Sequence, residues 1–159
     1  MKFSKKLAVI ATSISLAAGA ALADGHADKS IEAAVKARQA VMQLYSYNLG
    51  QLGEMAKTSV PYDAEAASKS AGNLLALVSI DQSTLWPQGS DTPTIEGTRA
   101  LPAIWEKYPD IATKAKALTD AVTALDAAAG TDLAALQGAM GPVGQACGAC
   151  HKAYRKPQN

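Results

Sequence analysis

Ile104-Trp-Glu-Lys-Tyr-Pro-Asp-Ile-Ala-Thr-Lys-Ala-Lys-Ala-Leu-Thr-Asp-Ala-Val-Thr-Ala-Leu125 is the stretch whose rhythm decides the architecture. Ile104, Tyr108, Ile111, Ala115, Leu118, Val122 and Leu125 recur at alternating steps of four and three. A seven-residue apolar repeat is the seam of a left-handed helix bundle. Pro109 interrupts the repeat. It predicts a kink, or a short helix over 102–107 followed by a fresh start at Asp110. Pro102 suits a first helical turn, and Gly130 closes the helix as its C-cap. This segment therefore reads as a helix near 102–129.

The flanking segments supply its partners. Ser30 is placed to cap a first helix near 30–57, with the apolar stripe Ile31, Val35, Met42, Tyr45, Leu49, Leu52 and Ala56. Arg38 and Gln39 lie beside that stripe. They read equally well as helix-edge residues with buried stems and as contacts to a bound group. Pro61 ends the first helix. Asp63 then caps a second near 63–80, with the stripe Ala67, Ala71, Leu74, Leu75 and Val78. Residues 82–101 form the longest irregular stretch; Leu85 and Trp86 make it packed rather than loose. Arg99 within it is a candidate to fork onto a carboxylate, against the plainer reading of a solvated loop arginine. Thr131 is the expected cap of a fourth helix near 132–156, with Asp132 in its first turn. Pro142 predicts a kink there. Gly138, Gly141, Gly144 and Gly148 cost that helix about 1 kcal/mol each against Ala, a cost that makes sense if its backbone approaches a flat ring. The fold expected is all-α, an antiparallel four-helix bundle.

The fourth helix carries Cys147-Gly-Ala-Cys150-His151. C-x-x-C-H is the attachment signature of haem c, two thiols for the vinyl groups and an imidazole for the iron. The three residues stand at i, i+3 and i+4 and so share one helical face. Rival readings fit worse. A thioredoxin-like pair belongs beside a βαβ pattern, and no segment here is rich in strand formers. A structural zinc site needs four ligands, and the remaining histidine, His26, is far away in the N-terminal segment. A disulfide closing so short a loop would stabilise little.

The N-terminus reads as a secretory signal. Lys2, Lys5 and Lys6 precede an apolar run from Leu7 to Leu22, and Ala21-Leu-Ala23 fits the cleavage pattern. Residues 1–23 are then the leader, 24–159 the mature domain, and the periplasm the destination. No span is expected in the mature chain. The whole chain carries 15 Lys+Arg and 14 Asp+Glu. Without the three leader lysines the balance is 12 against 14, a formal −2, which argues against a nucleic-acid partner. The only two cysteines fall inside the haem signature.

Three stretches together resemble a known family: Gly144 to Arg155, Arg38-Gln-Ala-Val-Met42, and Arg99-Ala-Leu-Pro-Ala-Ile-Trp105. Over nearly all of the mature length the chain resembles the class II c-type cytochromes, the cytochrome c-prime family. The resemblance implies a four-helix bundle with one covalent haem c on Cys147 and Cys150, and His151 as proximal ligand. It makes Arg38, Gln39 and Arg99 candidate haem contacts and puts Arg155 near the axial histidine. It also implies homodimers, often through the first two helices. In low-spin members a methionine on the first helix is the second axial ligand, which here is Met42, and the protein is an electron carrier serving redox partner proteins that the sequence does not name. In high-spin members the iron is five-coordinate and takes nitric oxide or carbon monoxide, and that alternative stays open. No enzymatic role is expected, since no Ser-His or carboxylate pair stands in a recognisable setting.

Overall fold

The computed structural model describes residues 20–158, with side chains from residue 29 onward. The expected leader at 1–23 falls almost wholly outside the described residues. Five helices follow in order: α1 Ala20–Ala56, α2 Ala64–Ser79, α3 Ala103–Glu106, α4 Tyr108–Ala129 and α5 Leu133–Tyr154. A 3-10 turn, Ser83–Leu85, opens the long loop after α2. Among the described residues the only β pairing is an isolated bridge between Ala100 and Arg155. The fold is the expected all-α bundle, with α1, α2, α4 and α5 as its long members.

The break expected at Pro109 is present, and several ends differ from expectation. α1 begins at Ala20, so Ser30 lies within the helix and caps nothing. α2 starts as expected, with Asp63 Oδ1 accepting from the Ala66 N–H at 2.9 Å. The third helix breaks at Lys107, which leaves helical geometry (φ −119°, ψ 44°), and α4 restarts with Pro109 in its first turn. A proline there costs no hydrogen bond, because first-turn N–H groups have no helical acceptor. The restart resets the helical phase, so Tyr108, expected in the seam, stands 71 % exposed. Asp132, not Thr131, caps α5; its Oδ1 accepts from the Ala135 N–H at 2.8 Å. α5 stops at Tyr154, because Arg155 turns extended and joins Ala100.

The core is one cluster built from the four long helices, including Tyr45, Leu52, Leu74, Val122, Leu125, Leu136 and Val143. Its polar members are tied off. Tyr45 Oη donates to Leu77 O at 3.1 Å, and Tyr62 Oη donates to Ala129 O at 2.9 Å. Buried Asn48 accepts from Asn73 Nδ2 at 3.0 Å. Pairing of this kind avoids the cost of unsatisfied polar groups inside. A second, smaller cluster of Ala100, Ile104 and Tyr154 forms where the loop, α3 and the end of α5 meet. Among the described residues no helix is long and apolar enough to cross a membrane.

Candidate haem site

Cys147, Cys150 and His151 sit together in the last two turns of α5, all half-buried. The motif straddles the two clusters. Cys147 packs against the main core, and Cys150 packs against the smaller one beside Trp86, Trp105 and Ile111. Both cysteines are free thiols. Burial raises the pKa of each thiol, with Lys114 partly opposing it at Cys150. His151 shifts the other way. Burial lowers its pKa, and the guanidiniums of Arg155 and Arg99 push it further down. A neutral imidazole with a free lone pair is what a metal requires.

A latch holds this end of α5. Buried Tyr154 donates its hydroxyl to Asp110 in the first turn of α4. The Leu101 N–H donates to Tyr154 O at 3.0 Å, and the Lys156 N–H donates to Arg99 O at 2.8 Å. Arg99 answers with Nε and a terminal nitrogen on Lys156 O, at 2.8 and 2.6 Å. The structure thus brings Arg99 to the histidine's end of α5, with its guanidinium engaged on a backbone carbonyl.

Arg38 is 3 % exposed and clamps the long loop onto α1. One terminal nitrogen donates to Leu85 O at 3.2 Å and Ser90 Oγ at 2.6 Å. The other donates to Ser90 O at 2.5 Å and Thr98 Oγ1 at 2.8 Å. Its guanidinium lies 4.5 Å from the centre of the Trp86 ring, a favourable cation–π contact. The Trp86 carbonyl in turn accepts from Trp105 Nε1 at 2.9 Å. Gln39 Nε2 holds Gly97 O at 2.7 Å. Both α1 residues therefore shape the loop wall that reaches Cys150. Sequence alone assigns no role to Ser90, which is wholly buried, or to Tyr154. Ser90 gave no signal in a polar loop. Tyr154 did, three residues beyond the histidine, where an aromatic shares its face.

Met42 departs from its stripe. Every other member is buried or half-buried, whereas Met42 is 38 % exposed and outside both clusters. Its neighbours on that face, Arg38 and Tyr45, reach to the loop and to α2.

The donor set fits a haem. Two free thiols and a neutral imidazole lie on one face of one helix, and a Cβ placed on Gly144 or Gly148 would meet nothing within 4 Å. Among the described residues no three His, Cys, Asp or Glu side chains are grouped to cage a bare metal ion. Fold and site define a c-type cytochrome built on a helical bundle.

Comparison with known proteins agrees. Residues 33–155 match the family described as "Cytochrome C'", and the chain belongs to that family, whose members carry one covalent c-type haem. A cytochrome c-554 from Cereibacter sphaeroides is 46% identical over 152 residues, covering 96% of this chain and 98% of the relative. A cytochrome c' from the same organism is 38% identical, covering 78% and 83%. Among solved structures, a cytochrome c' from Rhodobacter is 37% identical with a TM-score of 0.79, covering 80% of this chain and 98% of that one. A ferrous Alcaligenes xylosoxidans cytochrome c' variant with bound NO is 33% identical with a TM-score of 0.70, covering 80% and 97%.

Proposed function

We propose that this protein is a periplasmic electron carrier, exported by cleavage after Ala23, whose haem is held by Cys147 and Cys150 with His151 and Met42 as axial ligands. The observation that carries the reading is Met42. Its thioether stands mid-helix on α1, which packs against α5, and core packing does not consume it. A bound haem supplies a one-electron Fe(III)/Fe(II) couple, and Met/His ligation raises its potential. The chain supplies the rest. α5 presents thiols and imidazole on one face, the Tyr154–Asp110 latch fixes the last turn, and the Arg38 clamp closes the loop over Cys150. A donor set that is the same in both oxidation states keeps reorganisation small and disfavours gas capture. Leu44, Tyr47 and Ile80, exposed on α1 and at the end of α2, suit a homodimer through those helices, which sedimentation would register.

The second reading is a five-coordinate haem that binds NO or CO. It is favoured by the relative whose solved structure has bound NO. The absorption spectrum separates the two. Ligation by Met42 gives sharp, split ferrous bands that collapse to a high-spin spectrum in Met42→Leu. A broad high-spin spectrum in the parent, unchanged in Met42→Leu, establishes the gas-binding reading instead. Haem that leaves the polypeptide in denaturant would remove Cys147 and Cys150 from their assigned role.

A further inference from the structure

Cations are unevenly distributed along this molecule. Over residues 29–158 Lys and Arg balance Asp and Glu, twelve against twelve. Yet Arg99, Lys107, Lys114, Lys152, Arg155 and Lys156 gather where the loop meets the start of α4 and the end of α5, against Asp91, Glu96, Glu106 and Asp110 from the same segments, leaving six cations against eight carboxylates elsewhere. The fold makes this grouping. The Tyr154–Asp110 hydrogen bond joins the start of α4 to the end of α5. Lys114 Nζ lies 3.5 Å from the same carboxylate, and Lys107 acts on it electrostatically. Arg99 is bonded to Lys156, and Arg155 pairs with Ala100. Lys107, Lys152, Arg155 and Lys156 are exposed. Among the described residues none of these four has a carboxylate within salt-bridge distance. At the edge of this group Tyr108 projects, 71 % exposed.

We propose that this end is the docking face for an acidic redox protein, with Tyr108 as its apolar anchor. The proposal rests on the electron-carrier reading of the same site. A cationic patch around the haem-bearing turn, on an otherwise acidic body, gives the molecule an electric dipole. The dipole turns that turn toward a negative partner during diffusional encounter. Exposed aromatic rings are enriched where such patches bury against a partner. One electron passes from donor to Fe(III), leaving Fe(II) and an oxidised donor, with no proton or bond change required.

The test uses the haem-loaded protein and a reduced plant-type [2Fe–2S] ferredoxin, an acidic one-electron donor, as probe. The second-order rate should fall about tenfold or more as salt rises from about 10 to about 200 mM, because the attraction is screened beyond roughly 10 Å. Ferricyanide, a small anion, should show the same direction when it oxidises the ferrous protein, and tris(phenanthroline)cobalt(III), a cation, the opposite. Lys107→Glu with Lys156→Glu should lose most of the low-salt advantage and flatten the salt dependence. Tyr108→Ala should slow the ferredoxin reaction but not the ferricyanide one. Rates that ignore or rise with salt, or a charge-reversed variant as fast as its parent, overturn the proposal. So does salt-sensitive binding to phosphatidylglycerol vesicles that the variant loses while its ferredoxin rates stay put, which would make the patch a membrane contact. A five-coordinate spectrum with tight CO uptake would sink the carrier reading separately, and the ferricyanide and cobalt rates would still report the charge of the face.

Discussion

At the scale of single residues, chemistry was legible wherever spacing carried it. Cys147, Cys150 and His151 announce their shared face through their numbers alone, and the structure keeps them on one helical surface. Arg38 stands out in the sequence as a polar residue beside an apolar stripe, but its partners are not readable there. They lie 47 to 60 residues away in a loop whose path no periodicity encodes. Tyr154 is similar, since its acceptor Asp110 is on another helix. That pair predicts a pH effect. The hydrogen bond to Asp110, and burial after it, raise the Tyr154 pKa to about 12. The same bond lowers the pKa of Asp110. A phenol whose pKa rises on folding contributes stability that is complete below its unfolded value of about 10. That contribution is lost as pH climbs toward 12. A depressed carboxylate contributes above its ordinary value and loses that as pH falls through the folded one. Tyr154→Phe should therefore be less stable than the parent at neutral pH. The gap should narrow above about pH 10 and again in acid. Urea unfolding across the pH range measures it, and a gap constant with pH would show that the pair is not what titrates.

Elements were legible through their apolar periods and less so through their ends. The stripes of α1 and α2 face inward nearly as read, because burial follows the helical period. Some ends were set by tertiary contacts. Gly130 illustrates this. The sequence marks it as a C-cap, where glycine usually supplies a left-handed residue. Here its φ is −92°, an ordinary right-handed value, so backbone freedom is not why glycine stands there. Close approach is the reason: a Cβ at Gly130 would fall 2.0 Å from Ser68 Oγ on α2. Gly130→Ala should therefore force the Ser68 hydroxyl off its rotamer at a cost of about 0.5–1.5 kcal/mol. The double change with Ser68→Ala should recover most of it, since Ser68 Cβ and Ala64 O would both be 3.4 Å away. A double-mutant cycle by thermal unfolding reads the coupling. Additive losses would mean that the α4–α5 turn, and not Ser68, rejects the side chain.

For the whole molecule, the bundle and the cofactor must be considered together. α5 is burdened with glycine where a helix gains from alanine, and Pro142 removes a further backbone donor from its interior. A helix written only for stability would not look like this. The cost becomes intelligible if part of α5 serves as a surface for a flat ring. Gly144 shares the face of Cys147 and His151, at three and seven residues' distance, whereas Gly138 lies nine and thirteen residues before the same pair. No protein atom lies within 4 Å of a Cβ at either position, so in the haem-free polypeptide Gly138→Ala and Gly144→Ala should each add helix stability of about 1 kcal/mol. In the haem-loaded protein the two should part. Gly138→Ala should keep its gain, whereas Gly144→Ala should lose it and lower haem incorporation, because its methyl group occupies the ring's side of the helix. Thermal unfolding of the loaded proteins, with a Cys147→Ala/Cys150→Ala background as the haem-free reference, separates the cases. Equal gains for both variants in both backgrounds would mean that the ring does not approach α5 at Gly144, and the glycines of this helix would need another explanation.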